Sequence, residues 1–186
     1  MLKWVLHGEA PTLPDRMQEK PNTQKLFEAC VETCADSMYR VAFRLCGNAG
    51  EAEDLVQETY VQAWQKIDSL RDPNRMRSWM FAILRNQHLK AIRKKRPIAT
   101  GDVQSLEAPS VPVEPNSDPA DVVQQALMQL EQDQRMPILL VSMEGLSAEE
   151  ASGILGIPRG TVLSRMHRGR KRLKEIIEKL QPEERL

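Results

Sequence analysis

Thr161, Ser164, Arg165, Arg168, Lys171 and Arg172 fall at intervals that place them on one face of a single helix, with Arg159 at its N-terminus. Residues 158–174 hold seven basic side chains and no acidic one. Guanidinium, ammonium and hydroxyl groups in such a row suit phosphate oxygens and base edges in a DNA major groove. The segment before them supplies the geometry. Ser147-Ala-Glu-Glu150 has the spacing of a capping box, and Ala151, Ile154 and Leu155 form the apolar side of the helix it opens. Gly156 stops that helix and Pro158 is predicted at the first position of the next. Two helices joined by so short a turn make a helix-turn-helix. The second buries Val162, Met166, Gly169 and Leu173, and Ile176, Ile177 and Leu180 continue the seam. A plain helical hairpin with a solvated basic face is the alternative, and the unbroken run of positive charge argues against it.

A second basic surface lies upstream. From Ser78, a reasonable N-cap, a helix is predicted with Met80, Phe81, Leu84 and Ala91 on one side. Arg85, Asn86, Lys90 and Arg93 lie on the other, and Leu89 interrupts the polar set. The preceding helix, from about Glu51 to Ile67, turns Val56, Tyr60, Ala63, Trp64 and Ile67 inward. Its opposite face carries Asp54, Gln57, Glu58, Val61 and Gln65. A valine inside an acidic stripe is unusual for a purely solvated face; it fits a partner surface, or else a tolerated surface apolar residue.

Chemistry of other kinds finds little support. Cys30 and Cys34 are four apart on a helix, with Cys46 and His88 elsewhere, which raises a zinc or redox sensor. Both cysteines fall on the core face, where a thiol behaves as a small hydrophobe. Three cysteines without CxxC spacing argue against a disulfide framework and a structural zinc site, and they fit a reducing cytoplasm. Glu149 and Glu150 read as capping and surface residues. No Gly-rich phosphate loop, HExxH or Ser/His/Asp arrangement appears, so neither an enzyme nor a cofactor site is predicted. The longest apolar run, Trp79–Leu84, is far too short for membrane insertion, and the N-terminus lacks the apolar core of a secretion signal.

The elements that position these groups form an all-α chain of two small helical domains joined by a flexible linker, the C-terminal one a helix-turn-helix. Aromatics are only 4% of the 186 residues, so the core must rest on Leu, Ile, Val, Met and Ala, which favours helices. Phe27, Cys30, Val31, Cys34, Met38, Val41, Ala42 and Leu45 give the first helix its period, and Gly47-Asn48 ends it. Residues 1–21 read as a flexible extension, 22–96 as an N-terminal domain, 97–120 as a Pro-rich acidic linker, 121–180 as the C-terminal domain and 181–186 as a tail. Pro137 is placed early in its helix, where proline is tolerated. The formal net charge is zero, yet it divides into blocks: −4 over 47–70, +8 over 71–97, −6 over 98–136, −3 over 137–157, +7 over 158–174 and −2 thereafter. Neutrality therefore does not exclude nucleic-acid binding.

Together the two halves resemble an extracytoplasmic-function (ECF) sigma factor, the promoter-specificity subunit of bacterial RNA polymerase. The matching runs are EAEDLVQETYVQAWQKIDSLRDPNRMRSWMFAILRNQHLKAIRKKRP and LEQDQRMPILLVSMEGLSAEEASGILGIPRGTVLSRMHRGRKRLKE. The resemblance implies that Asp54, Gln57, Glu58 and Val61 contact core RNA polymerase. It implies that the loop Ser69–Arg77, including Arg75 and Arg77, and the face of Arg85, Asn86, Lys90 and Arg93 bind and melt the −10 element of promoter DNA. It further implies that Arg159, Thr161, Ser164, Arg165 and Arg168 read the −35 element while Lys171 and Arg172 anchor phosphates, though spacing does not settle which arginine reads a base. An anti-sigma factor is an implied partner. Trp79 is expected in the core rather than as a stacking platform. Two positions depart from the family pattern: Lys90 stands where an acid is common, and Leu163 replaces a frequent basic residue. The competing readings are a stand-alone helix-turn-helix regulator and an adaptor whose N-terminal half only binds protein.

Overall fold

The computed structural model describes residues 21–95 and 118–181, with side chains over 24–94 and 118–181. The expected extension except Pro21, most of the expected linker and nearly all of the tail lie outside these residues. Among the described residues the chain is helical, without strands. The N-terminal unit comprises α1 (Pro21–Cys46), α2 (Ala49–Lys66) and α3 (Met76–Lys95). The C-terminal unit comprises α4 (Pro119–Met128), α5 (Gln132–Ile138), α6 (Ala148–Leu155) and α7 (Arg159–Leu180).

Each boundary has a local cause. Gly47, at φ +71°, takes the left-handed conformation that ends α1. Asn48 then caps α2, its side chain accepting a hydrogen bond from the Glu51 amide at 3.1 Å. The expected start of α3 at Ser78 is corrected: the helix begins at Met76, and Ser78 lies inside it. The capping role falls to Asp72, which accepts from the Asn74 amide and opens a short 3₁₀ turn, Pro73–Arg75, that runs into α3. Asp118 caps α4 with Pro119 at its first position, so this helix starts slightly before the expected domain boundary. Pro137 is also corrected. It lies in the second turn of α5, because that helix starts at Gln132, and a π turn over Leu139–Met143 follows it.

Most of the predicted core positions are buried, while Phe27, Val31, Trp64, Ala91, Leu173, Ile177 and Leu180 are partly exposed at the edge of the core. Cys30, Cys34, Met38, Val41, Ala42 and Leu45 of α1 meet Val56, Tyr60 and Ala63 of α2 and Met80, Phe81 and Leu84 of α3. Phe27 stands edge-on to Trp64, with ring centroids 5.1 Å apart, and fastens the start of α1 to the end of α2. Trp79 is half-buried against this core. In the C-terminal unit, α7 crosses α5 at Gly169, where a Cβ would come within 2.7 Å of Ile138 Cδ1. A side chain there would displace the Ile138 methyl and crowd Gln134 Cβ at 3.1 Å, so the close approach of the two helices favours glycine.

The two units share one apolar core rather than standing apart. Helix α4 packs on α1, and α6 packs on α3. The buried arc of α3 is consequently wider than its sequence period suggests, taking in Ile83, Gln87 and His88. Polar groups fasten the seam. The Gln124 side-chain amide donates to the Phe43 carbonyl at 3.3 Å and its oxygen accepts from Arg44 at 3.0 Å. Arg135, buried between the units, donates to the carbonyls of Leu45 at 3.0 Å, Met128 at 2.7 Å and Leu130 at 2.9 Å. These carbonyls lie at the C-terminal ends of α1 and α4, where a cation complements the helix dipole. Substituting Arg135→Met would leave those acceptors without a donor. A loss of about 2–4 kcal/mol is expected, read as a lower midpoint in urea with helix content retained in water.

Candidate polymerase- and nucleic-acid-binding surfaces

The acidic stripe of α2 is a consequence of how the helix is held. Ala52, Leu55, Val56, Thr59, Tyr60 and Ala63 face the core, which turns Asp54, Gln57, Glu58, Val61 and Gln65 to solvent. Thr59 turns its hydroxyl back to the Leu55 carbonyl at 2.7 Å, so its polar group needs no outside partner. Val61 is 56% exposed at the centre of the stripe, the most exposed of the large hydrophobics among the described residues. An exposed aliphatic side chain ringed by carboxylates and amides suits a mixed apolar and basic partner surface.

On α3, Asn86, Lys90 and Arg93 are exposed. Arg85 is half-buried at the edge of that face and donates to the Asn86 side chain at 3.3 Å. Its ionisation is pushed down, first by desolvation and then by the positive charges of Arg165 and Arg93. Arg75 is exposed and lies 3.9 Å from Asp72, within the 3₁₀ turn. Arg77 is placed differently. It points into the seam, stacks over Phe81 at 5.7 Å from the ring centroid and pairs with Glu144 at 2.8 Å. The sequence groups Arg77 with the other basic residues of its block; the structure separates it from them.

The helix-turn-helix has the predicted construction. Ser147 and Glu150 make a reciprocal capping box, and Gly156 closes α6 at φ +64°. The Ser147 hydroxyl and amide hold the Glu150 carboxyl below its usual range. Pro158 serves as the residue before α7 rather than its first member. Val162, Met166, Gly169 and Ile176 face inward, while Arg159, Ser164, Arg168, Lys171 and Arg172 are exposed and Thr161 is half-exposed. Arg165 is drawn 3.3 Å from Asp133, and Arg172 pairs with Glu175 at 3.3 Å. Leu163 is 45% exposed on the same helix.

Arg135, Glu144 and Arg40 were not singled out by motif or period, although each is placed in the seam. A faint signal existed for two of them. Arg135 is the single basic residue in the −6 block, and Glu144 is the acid that follows the apolar stretch Met136–Val141.

The comparisons with known proteins agree with this architecture. Sigma-70 region 2 matches residues 30–98, and Sigma-70 region 4 matches residues 120–173. The ECF RNA polymerase sigma factor SigW of Bacillus subtilis is 32% identical over 88% of this chain and 95% of its own length. The sigma factor EcfG of Rhodopseudomonas palustris is 35% identical over 76% of this chain and 79% of its own. Among solved structures, the sigma factor RpoE of Bartonella quintana, in complex with the anti-sigma factor NepR, aligns with a TM-score of 0.68 at 31% identity. That alignment covers 83% of this chain and 98% of the other. CnrH, solved with the cytosolic domain of CnrY, shares the fold at a TM-score of 0.62 and 24% identity, over 84% of this chain and 90% of its own. A bipartite helical protein with a region 2 and a region 4 is a sigma-70-type initiation factor. The chain belongs to the ECF RNA polymerase sigma factors.

The metal and redox reading gains nothing from the geometry. The described residues contain no cluster of three or more His, Cys, Asp or Glu able to hold a metal ion. Burial pushes the Cys30 thiol up to about 12, with the neighbouring Cys34 adding to the effect, and raises Cys34 as well. Both are therefore protonated thiols without ready access to an oxidant. No helix among the described residues is long and apolar enough to cross a membrane. With an aromatic disulfide reagent at pH 8, one thiol, that of the half-exposed Cys46, should react in the native protein. Cys30 and Cys34 should react only after denaturant is added. Rapid reaction of all three would show that the core is open.

Proposed function

We propose that this sigma factor divides its work among three surfaces built on the same helical frame. Asp54, Gln57, Glu58 and Val61 on α2 dock on core RNA polymerase. Arg75, Arg77, Arg85, Asn86, Lys90 and Arg93 take up the −10 element and hold the melted strand. Arg159, Thr161, Ser164, Arg165 and Arg168 read the −35 element from the major groove, with Lys171 and Arg172 on the phosphates. The observation that carries this reading is the sorting of charge by helix face: an acidic stripe with an exposed valine on α2, and basic faces on α3 and α7.

The physical division follows from the groups available. Opening a duplex costs unstacking energy, and backbone cations together with a held base offset it. The exposed face of α3 supplies the cations. On α7 the exposed guanidiniums can each form a bidentate contact with guanine, giving about 1–3 kcal/mol of discrimination per contact. The acidic stripe repels DNA and so reserves its face for protein. The protein acts in the cytoplasm and carries no catalytic chemistry of its own, the synthetic step belonging to the polymerase. An anti-sigma factor is a further partner, a reading supported by the likeness to a sigma factor solved with one.

Run-off transcription with core polymerase on a promoter library should show promoter-specific initiation only when the protein is added; absence of any gain defeats the sigma reading. In the same assay, the double reversal Asp54→Lys and Glu58→Lys should weaken core binding about tenfold or more. Binding of the full chain to duplex DNA should be retained in that variant. Loss of DNA binding with intact core binding would reverse the assignment of the faces. Arg168→Ala should instead leave core binding unchanged and reduce promoter-specific transcripts.

A further inference from the structure

Glu144 is the acid whose placement the docking and DNA surfaces do not explain. Its side chain is 1% exposed, at the turn between the π segment and α6. Its cationic partners both come from the other unit. Arg77 donates to its carboxylate and to its backbone carbonyl, each at 2.8 Å, and Arg40 of α1 approaches the carboxylate at 3.5 Å. A carboxylate buried to this degree is tolerated only when paired. The two arginines keep 41% and 55% of their side-chain surface in water, so they lose little when the units separate. The carboxylate therefore discriminates strongly between docked and separated states, through Arg77 above all.

Arg77 is also one of the residues assigned to the −10 element, and the inference here rests on that assignment. The geometry points to Glu144 as an intramolecular stand-in for a DNA phosphate: it holds Arg77 in the seam between the units and so sets the balance between a closed, DNA-incompetent form and an open one. Three further observations agree. Phe81, one turn further along the same helix, lies beneath the guanidinium at 5.7 Å and holds it in an orientation that reaches Glu144. Arg85, two turns further along α3, is desolvated and crowded by the positive charge of Arg165 from the region 4 unit. The closed form thus brings like-charged reading surfaces together, a repulsion that an attractive contact must outweigh. Finally, elements 25 positions apart lie roughly two helical turns from one another, on the order of 70–85 Å, so Arg85 and Arg165 cannot stay neighbours while both are engaged. A ligand that binds only the open form has its apparent affinity reduced by the open fraction, which a carboxylate in the seam lowers.

The test uses the full chain without polymerase, small-angle scattering for the separation of the units, and a 20-nucleotide single-stranded DNA as probe. Glu144→Gln keeps the shape and removes the charge. It should increase the radius of gyration and tighten binding of the probe by about three- to tenfold. Glu149→Gln, an equal charge change at an exposed site on α6, should do neither, which separates opening from a simple loss of repulsion. Arg40→Ala should expand the protein in the same direction by a smaller amount, and it keeps the test alive if Glu144→Gln proves unstable by circular dichroism. Unchanged dimensions in well-folded Glu144→Gln and Arg40→Ala overturn the proposal. Adding Arg77→Ala to Glu144→Gln distinguishes the underlying assignment: an expanded protein whose probe affinity is indifferent to Arg77 keeps the latch but removes Arg77 from the −10 surface.

Discussion

Two charges buried in the seam govern how the molecule is put together. Arg135 must find acceptors for its guanidinium and Glu144 must find donors for its carboxylate, and each reaches across to the other unit to do so. Burial of either without its partners would cost several kcal/mol, comparable to much of a small domain's net stability. The two contacts are not equivalent. Arg135 is tied to the Leu45 carbonyl of the N-terminal unit but also to the Met128 and Leu130 carbonyls of its own. Separation costs it one acceptor of three. Glu144 has its cations only on the far side, so among these contacts it is the one most sensitive to opening.

The rest of the fold is arranged around that seam. Helix α3 has core on its α1 and α2 side and α6 beyond, so it contributes to both units at once. Its N-terminal end carries Arg77 into the seam, while its later turns keep Asn86, Lys90 and Arg93 in solvent. One helix thereby holds both a restrained and a freely exposed part of the same basic surface. The acidic stripe on α2 lies on the solvent side of its helix, so it stays exposed in this docked arrangement.

Much of this was legible in the sequence, and the parts that were share a physical reason. Capping at Ser147 and Glu150, the left-handed Gly156, the inward set Val162, Met166 and Gly169, and the exposed stripe on α2 all follow from interactions within one helix or its neighbour. Local periodicity reports such contacts well. The seam depends on residues far apart in the chain: Arg77 and Glu144 are 67 positions apart, and Arg135 and Leu45 are 90. No period links them. Ser78 misleads for a different, local reason: the turn that opens α3 is made six residues earlier by Asp72 and a 3₁₀ segment that runs directly into the helix. Which side chains touch polymerase or DNA is a matter of surfaces still more distant, and here chain periodicity gives faces rather than contacts.

The order of charge along the chain acquires a structural meaning once the units are docked. The +8 and +7 blocks are separated in sequence by acidic segments of −6 and −3. Of these, the −3 segment contains Glu144, Glu149 and Glu150. Glu144 binds Arg77 directly, and the positive charge of Arg77 also helps to hold the Glu150 carboxyl low. The acidic segment is therefore interposed at the point where two basic surfaces meet. Without it, the repulsion between Arg85 and Arg165 would be opposed by apolar packing and by the hydrogen bonds of Gln124 and Arg135 across the seam, but by no ion pair with Arg77. With it, docking is favourable but bounded, since every gain at Glu144 is set against that repulsion. A net charge of zero is the sum of these opposing blocks, and the balance between them is local to one seam.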